Sequence, residues 1–297
     1  MTAIALITGA TGQVGQAVVR ALTDDPNIRV RAAVRNLDKA KRSANIDAEL
    51  VHFDYDEPTT YAPALEGVER LLLLTGYSVA MLKHSKGMID QARKSEVHHI
   101  VHIGAHSPDD TDNEHHGWHQ FIERYIEWSG LGYTHLRPGA FMQTVVALAG
   151  DGLHENPGRL VHYIGDGAMS WVDVGDLAAV AAAVLRHPNA HLGQTYPMFG
   201  DTKSVSEIAE TLSRTLCRSF IYDARPVAEL ATALEQAGFE PTYAASVIKE
   251  VRGVANGTLP PYLEGRETIE RITGKPATTW TDFARNYPHL FEIQQTA

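Results

Sequence analysis

The chain has 297 residues, 44% of them hydrophobic and 21% charged, a globular balance that excludes a disordered or fibrous chain and allows one large domain or two small ones. Its 26 basic and 36 acidic residues give a net charge of −10, which argues against nucleic acid, whose non-specific binding rests on Lys and Arg contacts to phosphate. The single cysteine, Cys217, excludes an internal disulfide and a thiolate zinc cage.

The N-terminus has no basic stretch and meets glycine too early for a signal peptide. No apolar run approaches the ~20 residues of a membrane span, so a cytoplasmic protein without membrane contact is expected. Ala3–Ile7 reads as a strand and Gly12–Leu22 as a helix with Val14, Ala17, Val18, Ala21 and Leu22 on one side. Arg29–Val34, Leu50–Phe53, Leu71–Leu74, Ile100–Ile103 and Tyr133–Leu136 are further strands, and Ala80–Ser95 and Glu114–Ser129 are helices. Short continuous apolar strands alternating with helices predict a parallel sheet covered on both faces. Gly150–Gly167 reads as a long loop with one strand near Leu160–Ile164. Asp176 is expected to cap an apolar helix, Leu177–Leu185. Thr195–Phe199 reads as a strand, Ser204–Leu216 as a helix opened by a capping box, and the chain beyond Arg218 as mainly helical. The expected architecture is an α/β, Rossmann-like, doubly wound parallel sheet with a small, mainly helical C-terminal lobe. Residues 1–150, with 171–200 returning, would form the nucleotide-binding domain, and 151–170 and 201–297 a smaller substrate-binding lobe.

The strongest local signal is Gly9, Gly12 and Gly15 within Thr8-Gly9-Ala10-Thr11-Gly12-Gln13-Val14-Gly15, between a strand and an amphipathic helix. Gly9 would allow the tight turn, Gly12 the approach of backbone to a pyrophosphate and Gly15 close helix–sheet packing. The helix N-terminus would then offer unpaired N–H groups to phosphate. Gly9, Thr11, Gly12, Gln13, Val14 and Gly15 are the expected phosphate-binding residues. The second strand ends Val34-Arg35-Asn36 with no acid, so Arg35 is expected to hold a 2′-phosphate and NADP(H) is favoured, with NAD(H) the alternative. Asp54 and Tyr55, closing the third strand, are placed at the adenine, although Asp54 could equally form an Asx turn. Thr75, Gly76, Gly104, Ala105, Pro138 and Ala140, beyond strand ends, would flank ribose and nicotinamide. Tyr77, Phe141, Met142 and Trp171 are substrate candidates, each with an alternative packing or surface role.

With Val34-Arg35-Asn36, His52-Phe53-Asp54-Tyr55, Leu136-Arg137-Pro138-Gly139-Ala140-Phe141 and Ile272-Thr273-Gly274-Lys275-Pro276, the glycine turn resembles the NmrA-like branch of the atypical short-chain dehydrogenases, over nearly the whole chain. Within that branch it is similar to NADPH-dependent quinone oxidoreductases and triphenylmethane reductases. His119-Gln120-Phe121-Ile122-Glu123 resembles their His-x-x-x-Glu. The resemblance implies NADP(H), an oxidoreductase and an aromatic or quinonoid small-molecule substrate. The wider superfamily carries Tyr-x-x-x-Lys, and the matching positions here are His115 and His119. Hydride transfer to a quinone-like acceptor without that pair is therefore expected, with a non-catalytic redox sensor or a biosynthetic reductase or isomerase as alternatives.

Histidine is abundant, at 15 residues. His119 and His106 are placed at the acceptor, to orient or protonate it with a near-neutral pKa. No metal site is expected, since no third ligand accompanies His115 and His119. A homodimer is the base-rate expectation.

Overall fold

The computed structural model describes residues 2–42, 47–145, 158–263 and 265–292. The chain divides into two compact units, residues 1–137 with 177–197 and residues 138–176 with 198–297.

Unit one is built on a seven-stranded sheet. Its strands are β1 (Ala3–Ile7), β2 (Ile28–Val34), β3 (Glu49–His52), β4 (Arg70–Leu73), β5 (His99–Ile103), β6 (Gly132–Pro138) and an edge strand at Gln194–Met198, in the order edge strand-β6-β5-β4-β1-β2-β3. Strands β1 to β6 pair in parallel. The strand order reverses between β1 and β4, and such a switch point is where open α/β sheets bind ligands, beyond the carboxyl ends of the strands. Both faces are covered, which is why the strands read as unbroken apolar runs. Leu6, Ile7, Leu71, Leu72 and Leu73 are fully buried, each worth about 1.5–3 kcal/mol. The covering helices are α1 (Gln13–Leu22), α2 (Leu37–Arg42), α3 (Tyr61–Ala64), α4 (Ala80–Ala92) and α5 (Glu114–Ser129). Asn113 caps α5 by accepting from the His116 N–H, and left-handed Gly130 (φ 80°) ends it.

Unit two holds two small sheets. One pairs β7 (Ala140–Phe141), β9 (Ala168–Val172) and β11 (Asp201–Ser204), and the other pairs β8 (Arg159–His162) with β12 (Ile221–Ala224); the edge strand of unit one is β10 in chain order. Helix α6 (Val174–Arg186), which passes into unit one at residue 177, precedes β10, and among the described residues unit two also holds α7 (Val205–Leu216), α8 (Val227–Gln236), α9 (Pro241–Ala255), α10 (Arg266–Thr273) and α11 (Trp280–Asn286). The Ser204–Glu207 capping box opens α7 as the sequence predicts. Trp171, Trp280, Phe283 and Phe291 centre the core of unit two. Trp171 and Trp280 meet edge-on at 5.7 Å, a geometry worth about 0.5–1.5 kcal/mol beyond burial.

One expectation about this part of the chain changes. Helix α6 begins at Val174, and the side chain that meets its first turn is Asp173, whose Oδ1 accepts from the Gly175 N–H at 3.1 Å. Asp176 instead accepts from the Thr278 N–H at 2.7 Å and hydroxyl at 3.0 Å. The chain beyond Arg218 is mainly helical as expected, with the short strand β12 within it. Of the expected loop at Gly150–Gly167, residues 150–157 lie outside the described residues, and β8 (Arg159–His162) overlaps the strand expected near Leu160–Ile164.

Candidate functional site

The glycine turn follows β1 at the switch point. Thr8, at the end of an otherwise apolar strand, is fully buried. Its hydroxyl oxygen lies 2.9 Å from the Leu72 carbonyl and 3.0 Å from that of Leu74, and accepts from the Leu74 N–H at 2.8 Å. Thr8 thus ties the carboxyl ends of β1 and β4 together, a role visible in the sequence only as a lone hydroxyl after five apolar residues. Gly9 takes φ +62°, and a Cβ there would stand 2.8 Å from Leu74 Cδ2. A Cβ on Gly15 would lie 2.2 Å from the Gly9 carbonyl oxygen and 2.7 Å from Ala10 Cα, so helix and turn touch backbone to backbone. Gly12 is different: a Cβ would meet only the Gly9 oxygen, at 3.4 Å, and its outer side is exposed along with Thr11 and Gln13. Gly12 is the N-cap of α1, with no side-chain cap and no acid in the first turn. Exposed backbone at an uncapped helix start, with partial positive charge, suits a phosphate. Val14 turns its side chain into the core and offers only backbone.

The neighbouring strand ends gather at the same edge. Arg35 is exposed one residue beyond β2. Asn36 accepts from the Lys39 N–H at 2.8 Å and so starts α2. Asp54 accepts from the Asp56 N–H at 3.0 Å, the Asx turn that the sequence left open. The Tyr55 hydroxyl donates to the Leu74 carbonyl at 3.0 Å, and its ring stacks on His84 at 5.2 Å. Burial raises its pKa, so it remains a donor. Thr75 is half-buried, Gly76 is exposed with open space where a Cβ would stand, and Tyr77 is 58% exposed. Beyond β5, the Gly104 N–H donates to the Leu136 carbonyl at 2.8 Å, and Ala105 and His106 are half-buried.

Beside this edge, α5 lays a polar stripe against β5 and β6. His115, His119, Glu123 and Glu127 repeat every four residues, so they share one face. Strands β5 and β6 pair His102 with His135. His119 Nδ1 lies 3.4 Å from His102 Nε2. Glu123, fully buried, accepts from Arg137 Nε at 2.9 Å and Nη2 at 2.5 Å, a bidentate fork that also raises the guanidinium's affinity for its proton. Desolvation pushes His102 down to about 3, His135 to about 2, and His106 and His115 to about 4, and it holds His119 well below its ordinary value. The near-neutral pKa expected of His119 and His106 is therefore corrected: burial disfavours the imidazolium, and at neutral pH these rings can act only through a neutral N–H or a lone pair. His102, Glu123 and His135 each place one ligand atom within 4.8 Å of the others, but the Arg137 fork engages both Glu123 oxygens, and a guanidinium so close fits a cation poorly.

Pro138, Ala140, Phe141, Met142 and Trp171 belong to unit two. Ala140 and Phe141 pair with Trp171 and Val172, and Phe141 is half-buried. Met142 and Trp171 are completely buried in the unit's core, and the Trp171 indole N–H donates to the Lys203 carbonyl at 2.9 Å. Both substrate assignments are corrected, since a fully covered side chain presents no surface to a substrate. No helix among the described residues is long and apolar enough to cross a membrane.

The chain is 30% identical over 289 residues to an NAD(P)H azoreductase of Xenophilus azovorans, covering 96% of this chain and 98% of the relative. It is 28% identical over 290 residues to quinone oxidoreductase 2 of Escherichia coli strain K12, covering 97% and 98%. The structure of the Escherichia coli NADPH-dependent quinone oxidoreductase QOR2 complexed with NADPH matches with a TM-score of 0.79 at 28% identity, covering 97% of this chain and 100% of that one. The Citrobacter sp. triphenylmethane reductase complexed with NADP(H) shares the fold with a TM-score of 0.78 at 24% identity, covering 96% and 99%. The model of the NmrA-like family matches residues 1–279, and the chain belongs to that family.

Proposed function

We propose that this protein is an NADP(H)-dependent oxidoreductase that passes hydride to a conjugated acceptor of the quinone or azo class. The observation that carries the reading is the turn at Gly9, Gly12 and Gly15. Gly9 is required by its φ of +62° and Gly15 by backbone contact, while Gly12 leaves exposed backbone at an uncapped helix start at the switch point. The full-length likeness to an azoreductase and a quinone oxidoreductase supports the acceptor class.

In this reading the backbone of Gly9, Thr11, Gly12, Gln13, Val14 and Gly15 holds the pyrophosphate. Arg35 pairs with the 2′-phosphate. Asp54 and Tyr55 border the adenine, and Thr75, Gly76, Gly104 and Ala105 border the ribose and nicotinamide. The bound cofactor supplies the hydride. Quinones and azo compounds accept hydride into a conjugated system, so no tyrosine acid is required at a carbonyl carbon, and positioning supplies much of the rate. A hydroquinone oxyanion has a phenol-like affinity for its proton, near 10.

The test follows nicotinamide absorbance with NADPH and, in parallel, NADH, against quinones, azo dyes, triphenylmethane dyes, enones and simple aldehydes. Turnover of the planar conjugated acceptors and not of aldehydes is expected. Aldehyde reduction alone, or tight NADPH binding with every acceptor silent, would contradict the reading; the silent outcome would favour a sensor.

A further inference from the structure

The stripe on α5 and its partners on β5 and β6 form a continuous polar seam through an otherwise apolar layer. His115, His119, Glu123 and Glu127 span three helical repeats, about 18 Å at 1.5 Å per residue. At one end His115 lies 6.4 Å from the Tyr77 ring, at the carboxyl edge of the sheet. His115 and His119 rings are 4.9 Å apart, and His119 reaches His102 at 3.4 Å. His102 and His135 rings stand 5.6 Å apart, edge to face. Their nitrogens and a Glu123 oxygen lie within 4.8 Å of one another, a separation short enough for a single water to span by hydrogen bonds. At the other end His135 Nε2 faces Glu127 Oε1 at 3.5 Å, and the Glu127 side chain is 19% exposed beside Arg124.

His102 Nδ1 and both ring nitrogens of His135 are buried with no hydrogen-bond partner among the described residues, so His135 Nε2 approaches Glu127 without bonding it. An orphaned buried polar atom costs about 1–3 kcal/mol. A fold optimised only for packing would place apolar residues at 102 and 135, as it does at neighbouring Ile100 and Leu136.

We infer that this seam is a proton relay, conducting a proton from solvent at Glu127 through His135, His102 and His119 to His115 and the reduced acceptor. The inference rests on the proposed hydride transfer. Quinone plus hydride gives a hydroquinone anion, which takes one proton to complete the product. Each imidazole gives its N–H proton toward the acceptor and receives one on its other nitrogen, so the rings change tautomer and the proton comes from solvent. Neutral rings suit this role, because none traps the proton as an imidazolium. Arg137 holds Glu123 against the row through its two hydrogen bonds.

Two acceptors separate the relay from hydride transfer. A cationic triphenylmethane dye plus hydride gives a neutral leuco dye and needs no proton. His135→Phe is similar in volume and removes the middle of the row; His115→Gln, at the half-buried end, serves if His135→Phe does not fold. For each variant the ratio of quinone to dye turnover is expected to fall by about a hundredfold, the low end of what positioned proton transfer contributes. A solvent deuterium isotope effect on quinone turnover is expected to change with it. Equal loss on both acceptors, or a ratio and isotope effect equal to those of the parent protein, overturns the relay. Parent protein that reduces the dye but no quinone also overturns it. Parent protein that reduces neither acceptor refutes the proposed function itself.

Discussion

The glycine turn and the α5 seam lie in the same unit, but one is backbone and the other is side chain. At residues 9–15 a Cβ on Gly15 would strike backbone at 2.2 Å, and the ligand-facing surface is N–H groups at a helix start. Such a site carries no net charge, needs no desolvation of ionised groups and is insensitive to pH. The seam is the reverse. It buries three imidazoles, a carboxylate and most of a guanidinium, and each must find a partner or remain an uncompensated cost. The contrast teaches that a nucleotide turn is held by what its residues lack, whereas the seam pairs its charges at Glu123 and Arg137 and leaves imidazole nitrogens of His102 and His135 unbonded.

The largest effect expected from breaking this contrast is at the ion pair. Glu123 is 1% and Arg137 12% exposed at the side chain. Glu123→Leu strands a buried guanidinium and should cost about 3–5 kcal/mol in denaturant unfolding, whereas Glu123→Leu with Arg137→Met should fall within about 1 kcal/mol of the parent. Equal losses in the single and double variants would mean the pair is not the reason for the cost.

Next comes the turn. Gly15→Ala must displace backbone and should destabilise by about 1–3 kcal/mol, as overpacking does. Gly12→Ala, with only one contact at 3.4 Å, should keep the melting temperature and weaken NADPH binding. A Gly12→Ala protein that melts early while binding NADPH normally would reverse the assignment of the two glycines.

Acid sharpens the comparison further. His102 and His135 titrate at about 3 and about 2 in the folded protein, against 6.5 unfolded. Below pH 6.5 the unfolded chain binds protons that the folded chain refuses. Stability is therefore full above pH 6.5 and falls as pH drops toward 3, by about 1.4 kcal/mol per pH unit for each such histidine. Urea unfolding at pH 7, 6, 5 and 4 should show that slope, and His135→Phe should make it shallower by about one proton. A slope equal in the variant and the parent would place the acid sensitivity elsewhere.

A smaller effect is expected at Arg35. Arg35→Ala should raise the NADPH KM by about tenfold, the worth of one charge-assisted contact, with little change for NADH. An equal effect on both cofactors would remove Arg35 from the 2′-phosphate. The smallest is at Trp128, 79% exposed on the outer side of α5: Trp128→Ser should alter stability by no more than about 0.5 kcal/mol.

Legibility followed the same divide. The central unit-one strands β1, β4 and β5 were readable to within a residue or two because both faces are buried and the apolar runs are nearly unbroken. The glycine spacing was readable because a missing side chain leaves the same mark in sequence and in space. In unit two, β11 (Asp201–Ser204) and β12 (Ile221–Ala224) carry polar residues and pair only within small sheets, so no alternation announces them. Asp173 and Asp176 are three residues apart, and only tertiary contact to Thr278 shows which one leaves the helix start. The four-residue repeat from His115 to Glu127 is visible in the sequence. Its partners are not, because they depend on the register that sets His102 beside His135. Met142 and Trp171 look like substrate contacts in an aromatic-rich segment and prove to be core.

The measurement that bears most directly on hydride transfer is a single turnover of a quinone with NADPH deuterated at the transferring carbon. The account predicts one hydroquinone formed per NADPH consumed and a slower rate with deuterium than with hydrogen at that carbon. NADPH that binds but is consumed by no quinone, or a quinone-dependent loss of NADPH indifferent to the deuterium, would contradict it.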